Sequence, residues 1–119
     1  MKVAELLGAD LDFAVARAEG IATVTQGGGA VTVSRVHGTV YLDTGAAENY
    51  IKPFAPSTDW AHGGPIIERE RIAIEPWKPD GWLACWASVD REVDAKGATP
   101  LEAAMRAYVA SKFGEEVTL

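Results

Sequence analysis

The densest chemistry in the chain lies at Thr58-Asp59-Trp60-Ala61-His62-Gly63-Gly64-Pro65, with Arg69 one turn further on. Free backbone amides at a helix start can hold an anion, glycines let a ligand approach the backbone, and Trp60 offers a stacking face. On this reading Thr58, Asp59, Trp60, His62, Gly63, Gly64 and Arg69 are the expected ligand-binding residues. A plainer reading competes with it. Gly63-Gly64-Pro65 makes a sharp lead-in to a helix and Trp60 belongs to the core, and turn chemistry alone accounts for each of these residues.

Asp59 and His62 could act as two metal ligands, or as an acid and a base. A metal site needs at least a third ligand, and a histidine without an orienting partner is not a site. No catalytic residue and no metal is therefore assigned. Cys85 stands in an apolar strand between Trp82 and Trp86, where a thiol behaves as a small hydrophobe, so it is expected in the core. Gly27-Gly28-Gly29 lacks the spacing of a phosphate-binding loop and reads as a flexible connection. No cofactor is expected. The alternating charges Glu68, Arg69, Glu70 and Arg71 read as a solvated face, as do Asp90, Arg91, Glu92 and Asp94.

The totals narrow the partners. A length of 119 residues suits one domain, expected over 1–119, and 48% hydrophobic against 24% charged residues argues for a folded chain. The formal net charge of -6 disfavours nucleic acid and anionic membrane surfaces. A single cysteine excludes an internal disulfide and fits a reducing compartment, the cytoplasm by default. Glu5 and Asp10 interrupt any apolar leader, and no stretch approaches the roughly 18–20 apolar residues of a membrane span, so no signal peptide or membrane insertion is expected.

The elements that must position these residues follow from periodicity. Leu7, Leu11, Val15 and Ala18 predict a helix over about 9–19, with Gly20 to end it. With His37-Gly38 as a two-residue turn, Val33 faces Leu42 and Arg35 faces Val40, which predicts a hairpin over about 30–43 with Val31, Val33, Val40 and Leu42 on the core side. Gly45 to Pro56 reads as an ordered loop, Ser57 or Thr58 as the cap of a short turn, and Pro65 as the first residue of a short helix over about 65–71. Ile72 and Ile74 predict a third strand ended by Pro76, and a fourth begins at Trp82. Asp90 to Gly97 is expected as a charged loop. Thr99, Pro100 and Glu102 form a capping box for a last helix that Gly114 ends, with Leu101, Ala104, Met105, Tyr108 and Val109 buried and the Glu102–Arg106 pair outside. The expected fold is α+β: a small antiparallel sheet of about four strands with the two terminal helices packed on one face and a short central helix.

Three stretches carry a resemblance. Ser57 to Glu70, Thr99 to Val117, and the opening residues Glu5-Leu6, Leu11-Asp12, Val15-Ala16 and Gly20 are similar to the central motif, the closing helix and the opening of the NinX-like proteins of tailed bacteriophages and prophages. The likeness covers most of the chain and fades between Gly27 and Thr44. It implies a phage or prophage origin and a host-cytoplasm setting, but no reaction and no catalytic residues, because the family is a domain of unknown function. The expectation is a non-enzymatic accessory protein that binds a phage or host protein, or itself. The alternatives are a small enzyme or ligand-binding domain holding an anionic small molecule at residues 58–69, and a nucleic-acid accessory module.

Overall fold

The computed structural model describes residues 1–21, 32–36, 38–43 and 51–119. It is an α+β fold with antiparallel sheets, as the periodicities require. Strand β1 (Thr32–Val36) pairs with β2 (Thr39–Asp43) in the expected register: Val33 opposite Leu42, Ser34 opposite Tyr41, Arg35 opposite Val40. Gly38 takes φ +76°, the left-handed turn geometry that a tight hairpin demands and a side chain resists. Val31, His37, Thr44 and the triple glycine lie outside the described residues.

Six strands are described in place of about four, and they divide between two sheets ordered β1-β2-β3 and β4-β5-β6. The added strand β3 (Ile51–Pro53) pairs with β2 within the stretch expected as loop. Its short run ends on Pro53, a residue tolerated at a sheet edge because no ladder donor is needed there. In the second sheet β4 (Ala73–Trp77) runs through Pro76 instead of stopping at it, again at an edge, and β5 (Gly81–Ala87) holds the centre. The third strand, β6 (Glu92–Gly97), replaces the expected charged loop. Glu92, Asp94 and Lys96 are exposed while Val93, Ala95 and Gly97 are half-buried. That period of two is present in the sequence, but the charges mask it.

Helix α3 (Pro100–Phe113) begins as its capping box dictates, with Thr99 Oγ1 accepting from Glu102 N at 3.1 Å. It lies against β5 and β6, and its Ala104, Met105, Tyr108 and Val109 are essentially sealed from solvent. Helix α1 (Gly8–Ala18) has two apolar sides. Leu11, Ala14 and Val15 join the main core with α3, while Ala16 and Phe13 meet Val33, Val40 and Leu42 of the first sheet. Each terminal helix thus packs on a different sheet, and the α1–α3 contact joins the halves.

Helix α2 departs most from expectation. It spans Trp60–Glu70, beginning a turn and a half before Pro65. Asp59 is the cap, its Oδ1 accepting from Ala61 N at 2.8 Å. Gly63 and Gly64 are therefore helical rather than a lead-in. Gly63 has a tertiary reason: a Cβ there would sit 2.4 Å from the Pro56 carbonyl oxygen and 2.6 Å from Leu101 Cδ2. Gly64 has a local one, since a proline crowds the Cβ of a helical residue just before it.

Candidate functional site

The segment singled out in the sequence is spread over one helix and committed to structural bonds. Thr58 lies in the turn before α2, with its amide donating to Ala55 O at 3.1 Å. His62 Nδ1 accepts from Ala55 N at 3.0 Å, and its ring stacks on Phe54 at 5.8 Å. That nitrogen's lone pair is used, so it does not bind a metal while the bond holds. The amides of His62 and Gly63 both donate to Asp59 O, at 3.0 and 2.9 Å. Trp60 is 55% exposed, not in the core. The turn is anchored from below by Asp12, a buried carboxylate that accepts from Ser57 N at 2.8 Å.

Arg69 points elsewhere, into a polar cluster that joins α1, α2, α3 and β5. Its Nη1 and Nη2 reach the two oxygens of Glu19 at 3.0 and 2.6 Å, its Nε reaches Glu70 Oε2 at 2.9 Å, and Nη2 also donates to Tyr108 Oη at 3.1 Å. The Tyr108 hydroxyl donates to Glu19 as well, and Trp86 Nε1 donates to Glu70 Oε1 at 3.2 Å. Of the alternating charges expected as a solvated face, Arg69 and Glu70 form this clasp of the helix layer, while Glu68 and Arg71 are exposed. Burial works to raise the Glu19 carboxyl, but the hydrogen bonds from Arg69 and Tyr108 and the Arg69 charge outweigh it and hold it below its ordinary value. Glu70 is lowered likewise, burial being outweighed by bonds from Arg69 and Trp86.

The sign for stability follows. Both carboxyls are depressed in the folded state, so their contribution is present above the ordinary glutamate value near 4.5 and is lost as pH falls through the lower folded values. Asp12 opposes this: burial outweighs its Ser57 bonds and raises it above 3.8, so its charge costs stability at neutral pH and protonation relieves that cost. With Arg69 half exposed, the Glu19 bridge is worth about 1 kcal/mol. Urea unfolding below pH 4.5 should accordingly show declining stability in the native protein and a shallower decline in Glu19→Gln.

A second region was not anticipated. A groove of about 850 Å³ runs beside the outer edge of β6, bounded by Lys2 to Ala4, the Trp77 to Gly81 turn, and Arg106 and Ala110 of α3. Trp77 stands 44% exposed at its rim, with Lys96 Nζ 4.6 Å from the ring centroid. Much of its wall is apolar, from Val3, Ala4, Pro79, Leu83 and Ala110. The sequence signals were the Trp77-Lys78-Pro79 turn and the alternation of β6, each of which reads on its own as ordinary surface.

Cys85 is a further correction: it is half-buried on the outer face of β5, not in the core. Its thiol contacts Glu92 Oε1 at 3.2 Å, and the ligand atoms of Cys85, Glu92 and Asp94 all lie within 4.8 Å of one another. Burial, then these two carboxylates, push the thiol up to about 12, so it stays protonated and unreactive. Among the described residues no helix is long and apolar enough to cross a membrane.

No curated protein matches the chain. A family model does, from residue 2 to residue 112, and it is described as Bacteriophage P22, NinX. That span runs from the amino-terminal bridge of Lys2 with Glu116 to the last turn of α3 and takes in both sheets. The two-sheet fold, the α2 segment and the β6-edge groove apart from Glu115 and Glu116 thus fall inside the match, and the chain belongs to the Bacteriophage P22 NinX family.

Proposed function

We propose that this phage-family protein is a non-enzymatic accessory module that works by binding protein at the β6-edge groove. The observation that carries the reading is the groove itself: an open, largely apolar trough with a half-exposed tryptophan at its rim. Exposed aromatic side chains beside apolar surface are what protein partners use as anchors. Four basic residues (Lys2, Lys78, Lys96, Arg106) and four acidic ones (Asp80, Asp94, Glu115, Glu116) line it, so its formal charge cancels on a chain of net -6. A neutral trough favours a polypeptide over a polyanion.

The competing idea, an anionic small molecule held at Thr58 to Arg69, loses its cation, because the Arg69 guanidinium is taken up by Glu19, Glu70 and Tyr108. Tagged protein should retain a stoichiometric protein from host cells during phage growth, either an untagged copy of itself or another chain. Trp77→Ala should lose it while keeping the native unfolding temperature. An unchanged retained set in Trp77→Ala, or no retained protein with the native chain, would refute the reading.

A further inference from the structure

β6 is an edge strand, and its backbone is turned outward in a way that the other edge of the same sheet is not. The Gly97 carbonyl oxygen lies against Gly81 on the β5 side, whereas the Lys96 carbonyl accepts from Arg106 Nη1 at 2.8 Å on the other side. Backbone groups alternate in direction along an antiparallel strand, so those of Glu92, Asp94 and Lys96 face away from β5. The opposite edge, β4, is blunted by Pro76, which has no N–H to offer. β6 contains no proline.

We infer that the protein seated on this edge is a second copy of the chain, with β6 pairing antiparallel to its own counterpart to join two three-stranded sheets into one of six. This rests on the protein-binding reading above and names its partner. Charge selects both the occupant and the register. Outward-facing groups must meet outward-facing groups, which leaves five pairings across a two-fold axis. Four of them set Glu92 opposite Glu92, Glu92 opposite Asp94, Asp94 opposite Asp94, or Lys96 opposite Lys96. The remaining one sets each Asp94 opposite the other copy's Lys96, with Ala95 on the axis, so two unlike pairs form and no like pair does.

Asp94 and Lys96 are both exposed and make no ion pair among the described residues. Asp94 also sits within 4.8 Å of Glu92 and Cys85, a negative cluster that the arriving lysine would offset. The Arg106 bond to Lys96 O does not close the edge, because a carbonyl oxygen carries two lone pairs. Paired strands alone bury little area, so the dimer is expected to form with rising concentration rather than to be permanent.

Sedimentation velocity over a concentration series tests this, with the native chain, Asp94→Lys, Lys96→Asp and the double swap Asp94→Lys/Lys96→Asp. Both sites are exposed, so all four proteins should fold, which near-ultraviolet dichroism checks. The native chain should dimerise as concentration rises. Each single variant should weaken the dimer about tenfold or more, since two attractive pairs become repulsive, and the double swap should restore it. A native chain that stays monomeric, a dimer indifferent to the single variants, or a double swap that fails to rescue would overturn the proposal. A monomer that still captures another protein through Trp77 removes the second copy and leaves the binding reading standing, whereas loss of both removes both.

Discussion

Arg106→Ala should lower the unfolding free energy by about 3–5 kcal/mol, the usual consequence of stripping one partner from a buried ionic cluster. Arg106 is 8% exposed. Its Nε bonds Leu6 O at 3.0 Å, its Nη1 bonds Lys96 O at 2.8 Å, and its Nη2 lies 2.9 Å from Glu102 Oε1. One guanidinium thus ties the amino-terminal segment and the β6 edge to the first turns of α3. Removing it leaves two carbonyls without their donor and a carboxylate that is 15% exposed without its cation. Such a loss is a large part of the 5–15 kcal/mol that holds a typical domain together. For a chain of this length it should appear as a fall of roughly 10–20 °C in unfolding temperature. Arg106→Met keeps much of the side-chain packing, and adding Glu102→Gln removes the stranded charge, so that double variant should recover at least about 1 kcal/mol relative to Arg106→Ala. Urea unfolding followed by far-ultraviolet dichroism measures all three, and a change below about 1 kcal/mol for Arg106→Ala would show that the cluster is dispensable.

Arg106 also marks where sequence reasoning stops. Glu102 and Arg106 are four residues apart on a helix, and that spacing reads as an exposed pair. Nothing local says that β6 and residues 1–6 cover this side of α3, because β6 reads as a charged loop. Elements whose evidence is local were legible. The α3 capping box lies within four residues, and the β1–β2 register depends on one turn and one alternating face. The 58–69 segment was legible in part: the sequence places a helix over its end, and the Asp59 cap is a local bond to Ala61, but Gly63 against Leu101 depends on a helix about forty residues away. Arg69 is the sharpest case. A sequence of alternating charges cannot show that Glu19 and Tyr108 converge on the guanidinium, since those contacts span 50 and 39 residues. The β6-edge groove was illegible for the same reason: its walls come from the amino terminus, the β4–β5 turn and α3.

Gly97→Ala should cost about 3 kcal/mol, at the upper end of what one added methyl does in a packed interior. A Cβ at Gly97 would fall 2.5 Å from Ala103 N and 3.0 Å from both Ala103 Cα and Glu102 C. All three are backbone atoms of the first turns of α3, where Ala103 N donates to Thr99 O at 3.1 Å. No rotamer change can relieve the contact. α3 would have to lift from β6, and the Arg106 bond to Lys96 O would lengthen with it. Gly81→Ala is the natural comparison, since its Cβ would meet Trp77 O at an ordinary 4.0 Å and Gly97 O at 3.2 Å, a contact that a shift of a few tenths of an ångström absorbs. Its expected cost is below about 1 kcal/mol. Equal costs for the two variants in urea unfolding would mean that both report only the general penalty of replacing a strand glycine. A gap of about 2 kcal/mol would instead locate the strain at the β6–α3 seam, the contact that holds the groove floor against the open edge.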